Sequence, residues 1–161
     1  MKILIFTEGT ILMHKSAVGH SREEIIEQVK DKQSSVKDYS SYVPIGNAVD
    51  KLNKWKAQGA DVIYLTSRKE QVEINDIRNI LSKFNFPKGG LVYRKQDEGY
   101  KDVAERIMPD LLIEDNCESI GGEDEMTITH ISEDKKTKIK SIIIKEFNGI
   151  DHLSDNVLEL V

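Results

Sequence analysis

Cysteine is almost missing from the chain: Cys117 is the single one among 161 residues. One thiol can form neither an intramolecular disulfide nor a thiolate metal cage, which fits a reducing compartment. With an acidic stretch beside it, Cys117 reads either as a small residue flanking that loop or as a reactive thiol. Long apolar runs are missing as well. The stretch after Met1 stops within five residues, short of a signal-peptide core and of the roughly 20 residues that span a bilayer. A cytoplasmic protein without a membrane segment is therefore expected. Excess positive charge is absent too: 23 Lys and Arg face 28 Asp and Glu, a net charge of −5. No global basic field draws such a chain to nucleic acid or to an anionic membrane, although a pocket for a small anionic ligand can still be locally positive. No internal repeat and no low-complexity segment is visible.

What is present suffices for one hydrophobic core. At 161 residues and 39% hydrophobic content, residues 1–161 read as a single domain. Apolar runs alternate with helical patterns, the signature of an α/β fold with a doubly wound parallel sheet and helices on both faces. The first strand is expected at Ile3 to Phe6. In PIGNAVDKLNKWKAQG, Ala48, Leu52 and Trp55 recur at helical spacing between Pro44 and Gly59, and the strand DVIYL follows. The pattern continues with a helix over Glu70 to Phe84, a short strand at Leu91 to Tyr93 and a helix over Lys101 to Met108. Strands are then expected at Leu111 to Ile113, Thr127 to Ile131 and Ser141 to Ile144. The last residues, IDHLSDNVLELV, suggest a short closing helix. Residues 11–43 interrupt the alternation as a small cap-like insert. Within it, Ser21 and Glu24 form a capping box before Ile25, Ile26 and Val29, and the tail KDKQSSVKDYSSY reads as a polar, mobile segment.

Ligands of an open parallel sheet bind beyond the carboxyl ends of its strands. Three of the expected strands end in complementary chemistry. Thr7-Glu8-Gly9-Thr10 follows the first, Thr66-Ser67-Arg68 follows DVIYL, and Glu114-Asp115-Asn116 closes LLI. Each residue also has a plainer reading. Phe6 suits a core position at a strand end, Thr66 and Arg68 suit the cap of a following helix, Lys101 suits a solvated face, and Glu114-Asp115 suits a strand-ending turn.

The order and spacing of these endings resemble the haloacid dehalogenase (HAD) superfamily of phosphatases and phosphotransferases over most of the chain outside residues 11–43. The family's Asp-x-Asp-Gly-Thr corresponds to Phe6-Thr7-Glu8-Gly9-Thr10, its hydroxyl motif to Thr66, its lysine motif to Lys101, and its acidic pair to Glu114-Asp115. The stretches KLNKWKAQGADVIYLTSR and LLIED look closest to the nucleotidase and polynucleotide-phosphatase branches. The resemblance implies phosphate contacts from Thr66, Ser67 and Lys101, an acid/base role for Glu8, and a magnesium ion held by Glu8, Glu114 and Asp115, with Glu118 as a further acid nearby. In such chemistry a carboxylate attacks phosphorus, a second one moves protons, and the metal offsets charge repulsion.

The departure lies at position 6. A phenyl ring can neither attack phosphorus nor bind a metal, and Gly9-Thr10 fixes the register, so no neighbouring acid slides into its place. Magnesium binding is expected to be weakened by the missing aspartate. Three functions therefore stay open: a degenerate HAD-like protein that binds a phosphorylated small molecule, a magnesium-dependent phosphate-ester hydrolase in which Glu8 directs a water, and a scaffold or interaction module. His14 and His20, in the insert, are either surface residues or groups that reach the site mouth. Oligomeric state is not legible.

Overall fold

The computed structural model describes residues 1–161. In chain order the elements are β1 (Lys2–Phe6), β2 (Leu12–Met13), α1 (Arg22–Lys30), β3 (Val43–Pro44), α2 (Ala48–Ala57), β4 (Asp61–Leu65), α3 (Gln71–Lys83), β5 (Gly90–Val92), α4 (Tyr100–Ile107), β6 (Leu111–Asp115), α5 (Thr127–His130), α6 (Glu133–Lys136) and β7 (Lys140–Ile144). Five strands form one parallel sheet in the order β5-β4-β1-β6-β7. The chain winds outward from β1 through β4 to β5, then crosses back to place β6 on the other side of β1. The switch point therefore lies between β1 and β6, where an open α/β sheet forms its ligand crevice.

Alternation along β1 explains how one strand serves two layers. Ile3 and Ile5 join Leu52 and Trp55 of α2 and Ile77 of α3 in the larger core cluster. Leu4 and Phe6 face the other way, toward Val103 and Ala104 of α4. Ile3, Leu4 and Ile5 are all fully buried, as a central strand covered on both faces requires. At the far side of the sheet the approach of β5 to β4 demands glycine: a Cβ on Gly89 would lie 2.0 Å from the Val62 carbonyl oxygen.

The insert is closed at its neck by β2 and β3, an antiparallel pair with Leu12 opposite Pro44 and Met13 opposite Val43. Its helix α1 starts where the capping box predicts. The Ser21 hydroxyl accepts from the Glu24 N–H at 3.3 Å, and the Glu24 carboxylate accepts from the Ser21 N–H at 2.8 Å. The segment after α1, polar in sequence, takes a defined path. It folds into two short 3-10 turns, Ser34–Lys37 and Tyr39–Ser41, because Tyr39 and Tyr42 drive into the larger cluster and are buried there.

Two expectations are corrected. Thr127 to Ile131 is not a strand but the single helical turn α5. Its first N–H groups are claimed by the buried Glu114 carboxylate, which accepts from Thr127 at 2.7 Å and Ile128 at 2.9 Å. The closing helix is only a 3-10 turn, Val157–Leu160. The segment before it is held instead by a clamp, in which Lys51 donates to the Leu153 carbonyl at 2.7 Å and both Lys51 and Lys54 reach Asp155 at 2.5 and 2.6 Å.

Those lysine hydrogen bonds, Lys51 first and then Lys54, hold the Asp155 carboxyl down to about 2. A carboxyl lowered by folding stabilises the native state above the ordinary aspartate range, and that contribution disappears as pH falls through the folded value. The midpoint of thermal unfolding is therefore expected to fall less steeply with acid in Asp155→Asn than in the wild type below about pH 4. Parallel acid limbs in the two proteins would mean that the clamp contributes no stability.

Candidate functional site

The strand ends on either side of the switch point are stitched together before any ligand is considered. The Thr7 N–H continues the β1–β4 ladder to the Leu65 carbonyl at 3.0 Å, and Ile11 and Leu12 both return to the Thr7 carbonyl at 2.9 Å, closing a tight loop over residues 7–12. Gly9 sits in that loop at φ +80, and a Cβ there would meet the Asp115 carboxylate at 2.8 Å. Glycine is thus required twice over, by backbone and by space. Thr10 ties the loop to β6 by donating to Asp115 Oδ2 at 2.9 Å, while Asp115 Oδ1 accepts from the Cys117 N–H at 2.9 Å.

Beside these strand ends lies a cavity of about 180 Å³. Phe6, Glu8 and Gly9 reach it from β1 and its loop, Ser67 and Arg68 from the end of β4, Tyr100 from α4, and Glu114 and Asp115 from β6. The insert supplies the opposite wall through His14, Val29, Val36, Tyr39 and Tyr42, and Glu146 and Phe147 enter after β7. The Phe6 ring packs edge-on against Tyr100, centroids 5.1 Å apart, and belongs to the smaller core cluster as well as to the cavity wall. Its dual position follows from its place as the last residue of a buried strand.

Glu8 is the most heavily engaged acid. Its Oε1 accepts from the Thr66 hydroxyl at 2.6 Å and lies 3.4 Å from Arg68 Nε. Its Oε2 accepts from the Thr7 hydroxyl at 2.5 Å and from the Ser67 N–H at 3.2 Å. Arg68 continues outward, donating to the Tyr39 hydroxyl and lying 4.4 Å from the centre of that ring. The guanidinium therefore couples the insert to the end of β4.

The remaining acids are buried and internally satisfied. Burial pushes the carboxyls of Glu114, Asp115 and Glu146 up, against the opposing effect of their hydrogen bonds. For Asp115 those bonds come from Cys117 and Thr10, and for Glu146 from the N–H and hydroxyl of Ser119, both at 2.7 Å. The Asp115 carboxylate adds to the upward push on Glu146, and Glu114 to that on Asp115, as neighbours of like charge. Cys117 borders the same acids, and burial first, then Asp115 and Glu114, keep its thiol protonated. That environment opposes nucleophilic reactivity.

The cavity thus brings Glu8, Ser67, Glu114 and Asp115 together, with Thr66 bonded to Glu8 just beneath. Lys101 is not part of this wall. It is exposed near the start of α4 and borders an adjoining, more open depression with Arg94, Thr127 and His130, which shares Tyr100 and Glu125 with the cavity. A single step along a helix turns the side chain by about 100 degrees, so with Tyr100 packed against Phe6 the exposed Lys101 lies off that face. His14 lines the cavity, but its Nε2 donates to Gln28 Oε1 at 2.7 Å and burial lowers its proton affinity. His20 is half exposed and pairs with Glu24 at 3.3 Å. Glu118 is taken by Arg22 of α1.

Magnesium asks for about six oxygen ligands in near-octahedral array. Phe6 supplies none, Glu114 points at the N–H groups of α5, and nowhere do three or more His, Cys, Asp or Glu side chains group so as to hold a metal ion. Of the expected ligands, Glu8 and Asp115 remain at the cavity, a sparser set than the full acidic cluster the resemblance implies. Sequence reasoning had no means of finding Tyr39, Tyr42, Tyr100, Glu146 and Phe147 as wall residues. The one signal available was the spacing of Tyr39 and Tyr42, three apart in an otherwise polar stretch.

No family model matches the chain, and no curated protein matches its sequence. Among solved structures it is similar to a class C acid phosphatase from Bacillus anthracis with tungstate bound, at TM-score 0.56 and 14% identity, over 99% of this chain and 75% of that one. It also aligns with a D,D-heptose 1,7-bisphosphate phosphatase from Burkholderia thailandensis, at TM-score 0.47 and 10% identity, over 91% of this chain and 92% of that one. The corresponding phosphatase from B. bronchiseptica, complexed with magnesium and phosphate, gives TM-score 0.47 and 10% identity over 91% and 94%. The fold is therefore HAD-like, a parallel five-stranded sheet flanked by helices, and the likeness to the acid phosphatase carries that conclusion. No helix is long and apolar enough to cross a membrane.

Proposed function

We propose that this chain is a HAD-like protein with a degenerate catalytic centre, which binds a phosphorylated small molecule in the switch-point cavity and has little or no ordinary phosphatase activity. Residues 1–161 act as one domain in this reading, with residues 11–43 as the cap that shapes the cavity and selects the ligand. The observation that carries it is the Phe6 ring, which borders the cavity at the end of β1 and packs edge-on against Tyr100. Aligned on Gly9-Thr10, that position is where a HAD phosphatase places its attacking aspartate, and a ring there leaves the reaction without a nucleophile.

Support for a phosphate group comes from the donors gathered at the end of β4: the Thr66 hydroxyl, the Ser67 N–H and the Arg68 guanidinium. Hydroxyl, amide and guanidinium donors are what a phosphoryl group needs. The hydrolase in which Glu8 directs a water is less favoured, because three hydrogen-bond donors and the ion pair with Arg68 already hold that carboxylate. Calorimetric titration with a panel of nucleotides and sugar phosphates, with and without magnesium, tests the reading. Saturable binding of at least one compound without turnover is expected, and silence across the panel would favour a scaffold instead.

A further inference from the structure

We propose that the Glu8 carboxylate is an internal ligand: it occupies an oxyanion seat built by Thr7, Thr66, Ser67 and Arg68, and an external phosphate group enters only when Glu8 swings out. The inference deepens the functional reading and rests on it for the identity of the cavity as the ligand site.

The geometry is that of a bound anion. Two hydroxyls, one backbone N–H and one guanidinium converge on the two oxygens of a single carboxylate at 2.5 to 3.4 Å. They come from two chain segments that meet only because β1 pairs with β4. Thr66 is fully buried and its hydroxyl donates only to Glu8, so without an acceptor there it would be left unsatisfied, whereas the Thr7 hydroxyl also reaches the Leu65 carbonyl at 3.3 Å. A carboxylate and a phosphoryl group offer the same thing to such donors, namely adjacent oxygens sharing negative charge. One seat cannot hold both. A phosphate arriving beside the resident Glu8 would set a second negative charge next to that carboxylate, and like charges in close contact repel.

Glu8 has somewhere to go. Its side chain is 13% exposed and borders the cavity, so rotation carries the carboxylate into open volume and leaves the donors behind. Inorganic phosphate alone brings few contacts to offset that move. A phosphorylated organic molecule brings more, through its contacts with Tyr39, Tyr42 and Phe147 across the cavity. Glu8 thus sets the threshold that a ligand has to pass, and it discriminates against bare oxyanions.

The test is calorimetric titration of wild type, Glu8→Ala and Glu8→Gln with orthophosphate and with tungstate. Wild type is expected to give no saturable heat up to about 10 mM, and Glu8→Ala to bind at least about tenfold more tightly than that limit. The isosteric Glu8→Gln guards against misfolding of the alanine variant, and is expected to show the same gain at smaller size. Adding Thr66→Val to Glu8→Ala should remove the gain, which a general loss of negative charge would not predict. Equal binding, or equal silence, in wild type and both Glu8 variants would overturn the internal-ligand proposal. Failure of the functional reading looks different: the phosphorylated panel stays silent on wild type while the Glu8 variants still capture orthophosphate.

Discussion

Purified protein is expected to hydrolyse p-nitrophenyl phosphate with magnesium at the rate of the buffer alone. Removing the nucleophile of a covalent mechanism costs about 10⁶ in rate in well-studied hydrolases, so a chain with Phe6 in that position should sit that far below a working relative. Glu8→Gln should leave the rate where it is, since no step depends on the carboxylate. Phe6→Asp is the informative variant. It sets a carboxylate on the cavity wall where the ring now lies, and the rate should rise above the wild-type background by about tenfold or more. The gain stays small because Glu8 fills the phosphate seat and Lys101 faces away from the cavity. It also has a structural cost. The ring packs against Tyr100 and belongs to the Leu4 and Val103 cluster, so its loss should lower stability by about 3 kcal/mol. Brisk wild-type turnover that vanishes in Glu8→Gln would reverse this reading and assign the chain to water-directed hydrolysis.

Trp55→Ala is expected to lose about 3 to 5 kcal/mol of unfolding free energy, a large share of what a domain of this size has. The indole is fully buried among residues of β1, β4 and α3, and its Nε1 donates to the Ser154 carbonyl at 2.9 Å. Truncation therefore opens a cavity beneath α2 and strips the segment around Asp155 of one of its anchors. Trp55→Phe keeps most of the apolar burial and loses the hydrogen bond, so about 1 to 2 kcal/mol is expected there. Because this is the only tryptophan in the chain, urea unfolding has to be followed by circular dichroism rather than by indole fluorescence. A loss below about 1 kcal/mol in Trp55→Ala would show that the α2 face of the sheet is not the main core.

Much of the scaffold could be read before any coordinates, and the reason is locality. The Ser21 and Glu24 capping box links groups three residues apart, and it starts α1 where expected. The stripe of Leu52 and Trp55 spans a single turn of α2, with Gly59 at φ +90 just past its end. Errors arose where a distant group overrode the local pattern. The alternation of Thr127 to Ile131 suits a strand, yet the buried carboxylate of Glu114, thirteen residues earlier, takes two of its N–H groups and turns it into a helical start. The polar setting of Tyr39 and Tyr42 conceals two rings that the insert buries against the core and aims at the cavity.

For this chain the sequence alone determined the parallel α/β layering, the glycine turn after β1 and the phenyl ring at the end of the first strand. These depend on side-chain period, backbone conformation and residue identity, all of which are local. Only the tertiary structure decided what Glu8 holds on to, that Lys101 faces solvent and that the acids after β6 are already satisfied. Those outcomes depend on which strands lie side by side, as when Thr10 meets Asp115 across 105 residues of chain, and strand order places such partners where no spacing along the chain can.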